Sequence, residues 1–165
     1  MAPQRQLHLN AFIMPNGHHE AAWRHHSTDP VRARTLQHYV DIARTAERGR
    51  LDSVFLADVV GLGDNVRHNS HSGFEPLTLL SALAASTEHV GLIATASTTY
   101  NHPYTLARAF ASLDHLSGGR AGWNIVTSGS TVEAGNFGIE RPDHDRRYAR
   151  AEEFVQVVAA LWDSF

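Results

Sequence analysis

Residues 90–128, VGLIATASTTYNHPYTLARAFASLDHLSGGRAGWNIVTS, hold the pattern that decides the fold. Apolar runs containing β-branched residues predict a buried strand over 90–94 and another over 121–126. Between them, apolar residues at helical spacing predict a helix with Pro103 in its first turn and a stop at Gly118. A strand, a helix and a second strand in this order form a βαβ unit, whose two strands are expected to be parallel neighbours.

Each strand of this unit is followed by small polar residues. Residues 95–102 follow the first strand, and Thr127 and Ser128 follow the second. Because parallel strands end at the same edge of a sheet, these residues are expected to lie near one another. Ligands of α/β proteins bind at that edge, so it is the expected position of a site.

The rest of the chain repeats the pattern of strand and helix. Two more strands are predicted over 7–13 and 51–57. Further helices are predicted over 32–49 and 75–88, and a final helix follows a predicted loop over 129–145.

Four consecutive βα units imply a parallel sheet with right-handed crossovers. A doubly wound sheet would normally carry a Gly-rich fingerprint after its first strand, and this chain has none. The other architecture is the (β/α)8 TIM barrel, which typically needs about 250 residues. We therefore expect an α/β fold that forms the N-terminal half of a TIM barrel, with residues 1–165 as one domain. The chain stops inside an amphipathic helix, which predicts an N-terminal fragment.

Composition narrows the functional classes. The chain has 165 residues, a formal net charge of -3 and no cysteine. These values argue against a nucleic-acid partner, a thiolate metal site and cysteine catalysis. No apolar run approaches the roughly 20 residues that span a membrane, and the first residues lack the apolar core of a signal peptide. A cytoplasmic protein without a membrane partner is expected.

Five polar side chains are candidates for a site, and four of them, Asp58, Thr95, Asn124 and His144, fall at or just after predicted strand ends. Asp58 ends the second strand, where a carboxylate either caps a turn or contacts a ligand. Thr95 belongs to a run of hydroxyl residues that suits a flat polar ligand or an ordinary turn. Asn124 is an amide inside an apolar strand, so it needs a structural partner or a ligand. His144 and Tyr148, four residues apart, share a helix face, either as ligand contacts or as a surface histidine and a core tyrosine.

Several runs of the sequence are specific enough to indicate a family. They include DSVFLADVVGL (52–62), IATASTTYNHPYTLARAF (93–110), GGRAGWNIVTS (118–128) and RPDHDRRYARAEEFV (141–155). Over essentially the whole chain, the sequence resembles the flavin-dependent monooxygenases of the bacterial luciferase-like superfamily. More narrowly, it resembles the branch that contains the nitrilotriacetate, dibenzothiophene sulfone and long-chain alkane monooxygenases.

This resemblance implies a TIM barrel that binds FMN at the carboxyl ends of its strands. Reduced FMN would come from a separate NAD(P)H-dependent flavin reductase and react with O2 to a flavin C4a-peroxide, which oxygenates a small organic substrate. By motif, Asp58 and Thr95 would contact the isoalloxazine, and Asn124 would line the same pocket. His144 and Tyr148 would reach the flavin or its ribityl phosphate. The resemblance assigns no catalytic residue and no metal site to this chain, and a homo-oligomer is expected.

Two alternatives remain open at this point. Twelve histidines, among them His18, His19, His68 and His71 in predicted loops, would suit a metal-dependent TIM-barrel hydrolase. The other alternative is an inactive barrel fragment. For the isolated chain we predict aggregation or self-association, because a half-barrel leaves one strand edge unpaired. Residues 128–135, SGSTVEAG, depart from the family pattern, so the resemblance predicts no geometry for them.

Overall fold

A computed structural model describes residues 6–19, 21–63 and 73–164. The strands are β1 (Asn10–Phe12), β2 (Ser53–Leu56), β3 (Gly91–Ser97) and β4 (Ala121–Val126). The helices are α1 (Leu36–Arg48), α2 (Pro76–Ala84), α3 (Pro103–Ser117), α4 (Thr131–Asn136) and α5 (His144–Trp162), and two short 3-10 turns precede α1 at Ala22–Arg24 and Arg32–Arg34. None of the described helices is both long enough and apolar enough to cross a membrane.

The four strands form one parallel sheet in the order β1-β2-β3-β4. Strands that follow one another in the sequence are therefore paired in the sheet, and a helix connects each strand to the next, as in a barrel. The prediction of consecutive parallel βα units is confirmed. The order also separates this fold from the doubly wound arrangement, in which the strand order reverses at a switch point.

The helices pack on one face of the sheet. The apolar core combines buried side chains of α1, α2, α3 and α5 with the strand residues Val54, Leu56, Leu92, Ala94 and Ala96. Because side chains alternate along a strand, Ser53, Ile93 and Thr95 face the opposite side of the sheet. A sheet with helices on one face is the arrangement of a TIM barrel, where the other face lines the interior. The α/β barrel fold class is thereby confirmed.

The local chemistry of the helix ends explains where the helices start and stop. The Thr35 and Glu75 side chains accept hydrogen bonds from first-turn N–H groups of α1 and α2, and prolines open α2 and α3. Gly118 ends α3 in the left-handed conformation with φ 68°, which a residue without Cβ adopts at low cost. The predicted limits of this helix are confirmed.

Several boundaries differ from the sequence predictions. Strands β1 and β2 and helix α1 are shorter than predicted, and three further differences concern β3, α2 and α4. Strand β3 continues to Ser97, because Thr95, Ala96 and Ser97 pair with Asn124, Ile125 and Val126 of β4; part of the expected polar loop is therefore strand. Helix α2 ends at Ala84, short of the predicted limit. The predicted loop over 129–145 contains α4, which starts with a capping box between Ser130 and Glu133.

A wide groove of about 910 Å³ lies on the helix-covered side of β4, between α3 and α5. Trp123, Leu161 and Trp162 line it, and Ile125 and Trp162 are each more than two-fifths exposed. Exposed apolar surface next to a sheet strand favours association with other molecules. Self-association of the isolated chain stays a prediction.

Candidate functional site

Thr95 and Asn124 are brought together on the face of the sheet that the helices leave free. They are direct neighbours in the β3–β4 register, and Asn124 Nδ2 donates a hydrogen bond to Thr95 Oγ1 at 3.0 Å. Thr95 is buried, whereas Asn124 is partly exposed. Both interpretations of Asn124, a structural amide and a ligand contact, stay open, because the amide has a structural partner and the residue is still partly exposed.

Asp58 lies two residues after the end of β2 and is partly buried. Burial raises the pKa of its carboxyl above the ordinary value of 3.8, and the nearby carboxylates of Glu75 and Glu133 raise it further. A hydrogen bond from the backbone N–H of Val59 opposes this shift. A carboxyl group in such a position is suited to accept a hydrogen bond from a ligand N–H or O–H group.

His144 and Tyr148 stand on the first turns of α5, with their ring centroids 4.6 Å apart. Both are exposed, Tyr148 to 55%, so the interpretation of Tyr148 as the first core residue of the helix is wrong. The burial pattern of α5 gives the reason: Ala151, Phe154 and Val158 face the core, and Tyr148 lies at the margin of that stripe. His144 Nδ1 lies 3.0 Å from Asp145 Oδ1.

Arg150 connects α5 to the loop after β3. Its Nε donates to the Thr98 carbonyl at 3.1 Å and its Nη2 to the Asn101 carbonyl at 3.3 Å. The start of α5 thus rests on the loop at the carboxyl edge of the sheet. Among the hydrogen bonds of the described residues, none joins the Thr95–Asn124 pair directly to Asp58, His144 or Tyr148.

Reasoning from strand ends did not identify the segment around α4, which contacts the loops next to the candidate residues. Phe137 stacks on Tyr100 of the β3–α3 loop with centroids 4.4 Å apart and an angle of 11° between the rings. Leu62, in the loop after Asp58, exchanges hydrogen bonds with Asn136. The signal that could have found this segment is the S-x-x-E capping box at Ser130, which predicts a helix start.

Two buried polar atoms near this segment have no hydrogen-bond partner, the Tyr100 hydroxyl and Arg147 Nε. Burial raises the pKa of Tyr100 above its ordinary value, and the Glu133 carboxylate adds to this, while Arg147 and Arg141 oppose it. Buried polar groups are normally paired, so these two groups are expected to find a partner outside the hydrogen bonds of the described residues.

No group of three metal-ligating side chains is positioned to hold an ion within the part of the chain that the structure describes. Several histidines there make local contacts instead: His18 Nε2 lies 3.0 Å from the Phe12 carbonyl, and the rings of His25 and His26 contact each other at an angle of 37°, with centroids 4.2 Å apart. His68 and His71 lie outside the described residues.

Comparison with known proteins gives consistent matches. The family model for luciferase-like monooxygenases matches residues 17–164. Nitrilotriacetate monooxygenase component A of Aminobacter aminovorans is 49% identical over 99% of this chain and 39% of its own length. The structure of EDTA monooxygenase from Chelativorans sp. BNC1 superposes with a TM-score of 0.90 and 40% identity, covering 96% of this chain and 38% of the other.

A structure of riboflavin lyase with modified FMN and riboflavin is also similar. It superposes with a TM-score of 0.87 and 36% identity over 96% of this chain and 38% of the lyase. In all three comparisons this chain spans less than two-fifths of its relative's length.

Proposed function

Because this chain belongs to the luciferase-like monooxygenase family, we propose that it supplies part of the FMN site of a monooxygenase that uses reduced FMN and O2. A separate NAD(P)H-dependent flavin reductase would supply the reduced FMN, and a small organic molecule would be the substrate. The name of one relative, a component A, fits an enzyme that works with a second protein. Cytoplasmic localisation and a homo-oligomeric state belong to the same proposal.

The observation that carries the proposal is the Thr95–Asn124 pair. It lies near the carboxyl edge of the sheet, on the face without helices, in a fold shared with a structure that holds modified FMN. The isoalloxazine is flat and has hydrogen-bond donors and acceptors along one edge. Small hydroxyl and amide side chains on adjacent strands offer complementary groups without bulk that would keep a flat ring away. The residues present therefore fit the cofactor.

The remaining candidate residues would have separate tasks in this site. The Asp58 carboxyl would accept a hydrogen bond from a flavin N–H group, which its raised pKa and partial burial favour. His144 and Tyr148, exposed at the start of α5, would contact the flavin or the ribityl phosphate. Reduced FMN supplies the activation of O2, while the protein binds and orients the ring and excludes water.

The test is an anaerobic titration with reduced FMN of two polypeptides. One is this chain. The other is a chimera in which this chain replaces the matching part of nitrilotriacetate monooxygenase component A, with which it is 49% identical. We expect the chimera to bind reduced FMN and to consume O2 when flavin is supplied. Binding by the chain alone would mean that its four βα units already build a usable site.

Two variants show whether the binding uses the proposed residues. Asp58→Ala is expected to weaken reduced-FMN binding about tenfold or more, which corresponds to about 1.4 kcal/mol, without lowering the melting temperature. Asp163→Ala, which removes an exposed carboxylate at the far end of α5, serves as the matched control. Unchanged affinity of the Asp58 variant would remove Asp58 from the site. A folded chimera that binds stoichiometric zinc and no flavin would support the metal-dependent hydrolase instead.

A further inference from the structure

The carboxamide of Asn136 binds both backbone groups of Leu62, 74 residues earlier in the chain. The Leu62 N–H donates to Asn136 Oδ1 at 2.6 Å, and Asn136 Nδ2 donates to the Leu62 carbonyl at 3.4 Å. One side chain at the last residue of α4 thus holds the loop after β2 as a neighbouring strand would hold it.

Gly61 brings the same loop into direct contact with α4. A Cβ atom at this position would lie 2.9 Å from Cγ of Glu133 and 3.1 Å from its backbone nitrogen. Real Cβ atoms essentially never come within 3.0 Å of a non-bonded heavy atom, and the helix backbone in the second contact cannot move away easily. The contact between loop and helix therefore depends on a residue without a side chain.

These contacts fix the second end of a short segment whose first end is already fixed. Strand β2 ends at Leu56, which pairs with Ala94 of β3. Residues 57–61 then run without helix or strand to the anchor at Leu62, and Asp58 lies between the two fixed points. A backbone fixed at both ends has little conformational freedom, so freeing one anchor would let the Asp58 backbone sample more positions.

Helix α4 is itself held in place. Ser130 and Glu133 close its capping box, and Glu133 is buried. Phe137, directly after the helix, stacks on Tyr100 of the β3–α3 loop. The helix therefore connects the loops that follow β2, β3 and β4, which are the loops at the edge where the candidate site lies.

We propose that Asn136 is a positioning residue, which holds the Asp58 loop against α4 so that the Asp58 carboxyl is pre-oriented for its ligand. The part of this inference that concerns the ligand rests on the proposed FMN site. Pre-orientation raises affinity because the bound protein does not have to order the loop at the moment of binding.

The pKa of the Asp58 carboxyl can be used to detect whether the loop stays in contact with α4. Burial raises this pKa most, and the negative charges of Glu75, at the start of α2, and Glu133, within α4, raise it further. If the loop leaves α4, the carboxyl gains water and moves away from Glu133, so its pKa should fall toward 3.8. This signal arises at Asp58 itself and needs no flavin.

The experiment compares three variants of this chain by carbon NMR titration of the Asp58 carboxyl and by reduced-FMN binding. Asn136→Ala removes both hydrogen bonds to Leu62. Gly61→Ala adds a methyl group that pushes the loop away from Glu133 of α4. Val132→Ala shortens an exposed side chain on the same helix and is the control. We expect the Asp58 pKa to fall in the first two variants and to stay constant in the third. Reduced-FMN affinity, in the chain or the chimera, should fall about tenfold in the first two.

Each outcome decides a separate question. An Asp58 pKa that is the same in all three variants, with cooperative melting retained, overturns the positioning role. An altered pKa with unchanged FMN affinity overturns the part of the proposal that concerns the ligand. An altered pKa in a protein that binds no flavin supports the positioning role and counts against the proposed function. If Asn136→Ala does not fold, Gly61→Ala and Val132→Ala provide the same comparison.

Discussion

Within the described part of the chain, buried polar side chains at the amino-terminal edge of the sheet are paired, whereas some at the carboxyl-terminal edge are not. The Arg120 guanidinium, just before β4, donates five hydrogen bonds, to the carbonyls of Ala84, Thr87, Val90 and Ser117 and to the Thr87 hydroxyl. Glu47 accepts from the backbone N–H groups of residues 88–90. At the other edge, the Tyr100 hydroxyl and Arg147 Nε are buried without a partner.

The carboxyl groups show the same contrast. At the amino-terminal edge, burial of Glu47 acts to raise its pKa, but the N–H groups of His89, Glu88 and Val90 outweigh it, and the pKa lies below the ordinary value. At the carboxyl-terminal edge, burial and neighbouring carboxylates leave the pKa of Asp58 above its ordinary value. The fold thus stabilises the negative charge of Glu47 at the amino-terminal edge and destabilises that of Asp58 at the carboxyl-terminal edge. The lesson is a division of labour: one edge of a TIM-barrel sheet contributes to stability and the other to ligand binding.

The largest effect is expected for Arg120→Met. The substitution leaves several buried carbonyls without a donor, so we expect the free energy of unfolding to fall by about 3 kcal/mol, measured by urea denaturation. Arg44→Met is the control, because Arg44 is exposed and donates one side-chain hydrogen bond, to the Ser86 carbonyl. Equal losses for both variants would contradict the special role of the amino-terminal edge.

Glu47→Gln should cost about 1 kcal/mol at neutral pH, since a neutral amide is a weaker acceptor than a carboxylate. The folded-state pKa of Glu47 is lowered, so its charge contributes stability that is present above the unfolded value of 4.5 and is lost as the pH falls through the folded value. The difference between Glu47→Gln and the parent chain should therefore shrink below pH 4.5. A difference that is constant across this range in urea denaturation would show that the charge is not the cause.

Asp58→Asn should change the stability in the opposite direction from Glu47→Gln. The folded-state pKa of Asp58 is raised, so the stability that its proton provides is full below 3.8 and is lost as the pH rises through the folded value. At neutral pH the charged carboxylate destabilises the fold, and the variant should be slightly more stable than the parent chain. Thermal melts at neutral pH and near pH 3.8 check this, and a loss of stability at neutral pH would contradict it.

The smallest effect is expected for Tyr100→Phe, which removes a hydroxyl that has no partner. We expect a change within about 0.5 kcal/mol in either direction. Thr87→Val removes a buried hydroxyl at the other edge that donates to the Leu83 carbonyl and accepts from Arg120, and it should cost about 1–2 kcal/mol. Similar costs for both hydroxyls, measured in the same urea series, would erase the contrast between the edges.

Much of the fold was predictable because its signals are local. The limits of β4 and α3 follow from apolar periodicity, Pro103 and Gly118, which act within a few residues. The extent of β3 was not predictable in the same way. Thr95, Ala96 and Ser97 have the composition of a loop, and only pairing with β4 makes them strand. Pairing between segments about 30 residues apart leaves no periodic signal in either of them.

Some features of the candidate site were also predictable from the sequence, and others were not. The positions of Asp58, Thr95 and Asn124 at or near strand ends follow from the sequence, and the structure brings Thr95 and Asn124 into contact. The exposure of Tyr148 did not follow, because two neighbouring helix faces both carry apolar residues and the sequence does not say which one meets α3. The roles of all five residues toward a cofactor stay predictions.

The sequence by itself determined the order of the four strands and of the helices between them, the parallel sheet and the family, because apolar periodicity, helix-ending residues and specific motifs are properties of the chain. It did not predict α4. Only the tertiary structure decided which polar groups meet. Three contacts join residues that are far apart in the chain: the hydrogen bonds of Asn136 to Leu62, the packing of Gly61 against Glu133, and the stacking of Phe137 on Tyr100. Such contacts arise when packed elements place their loops side by side, and no local pattern encodes them.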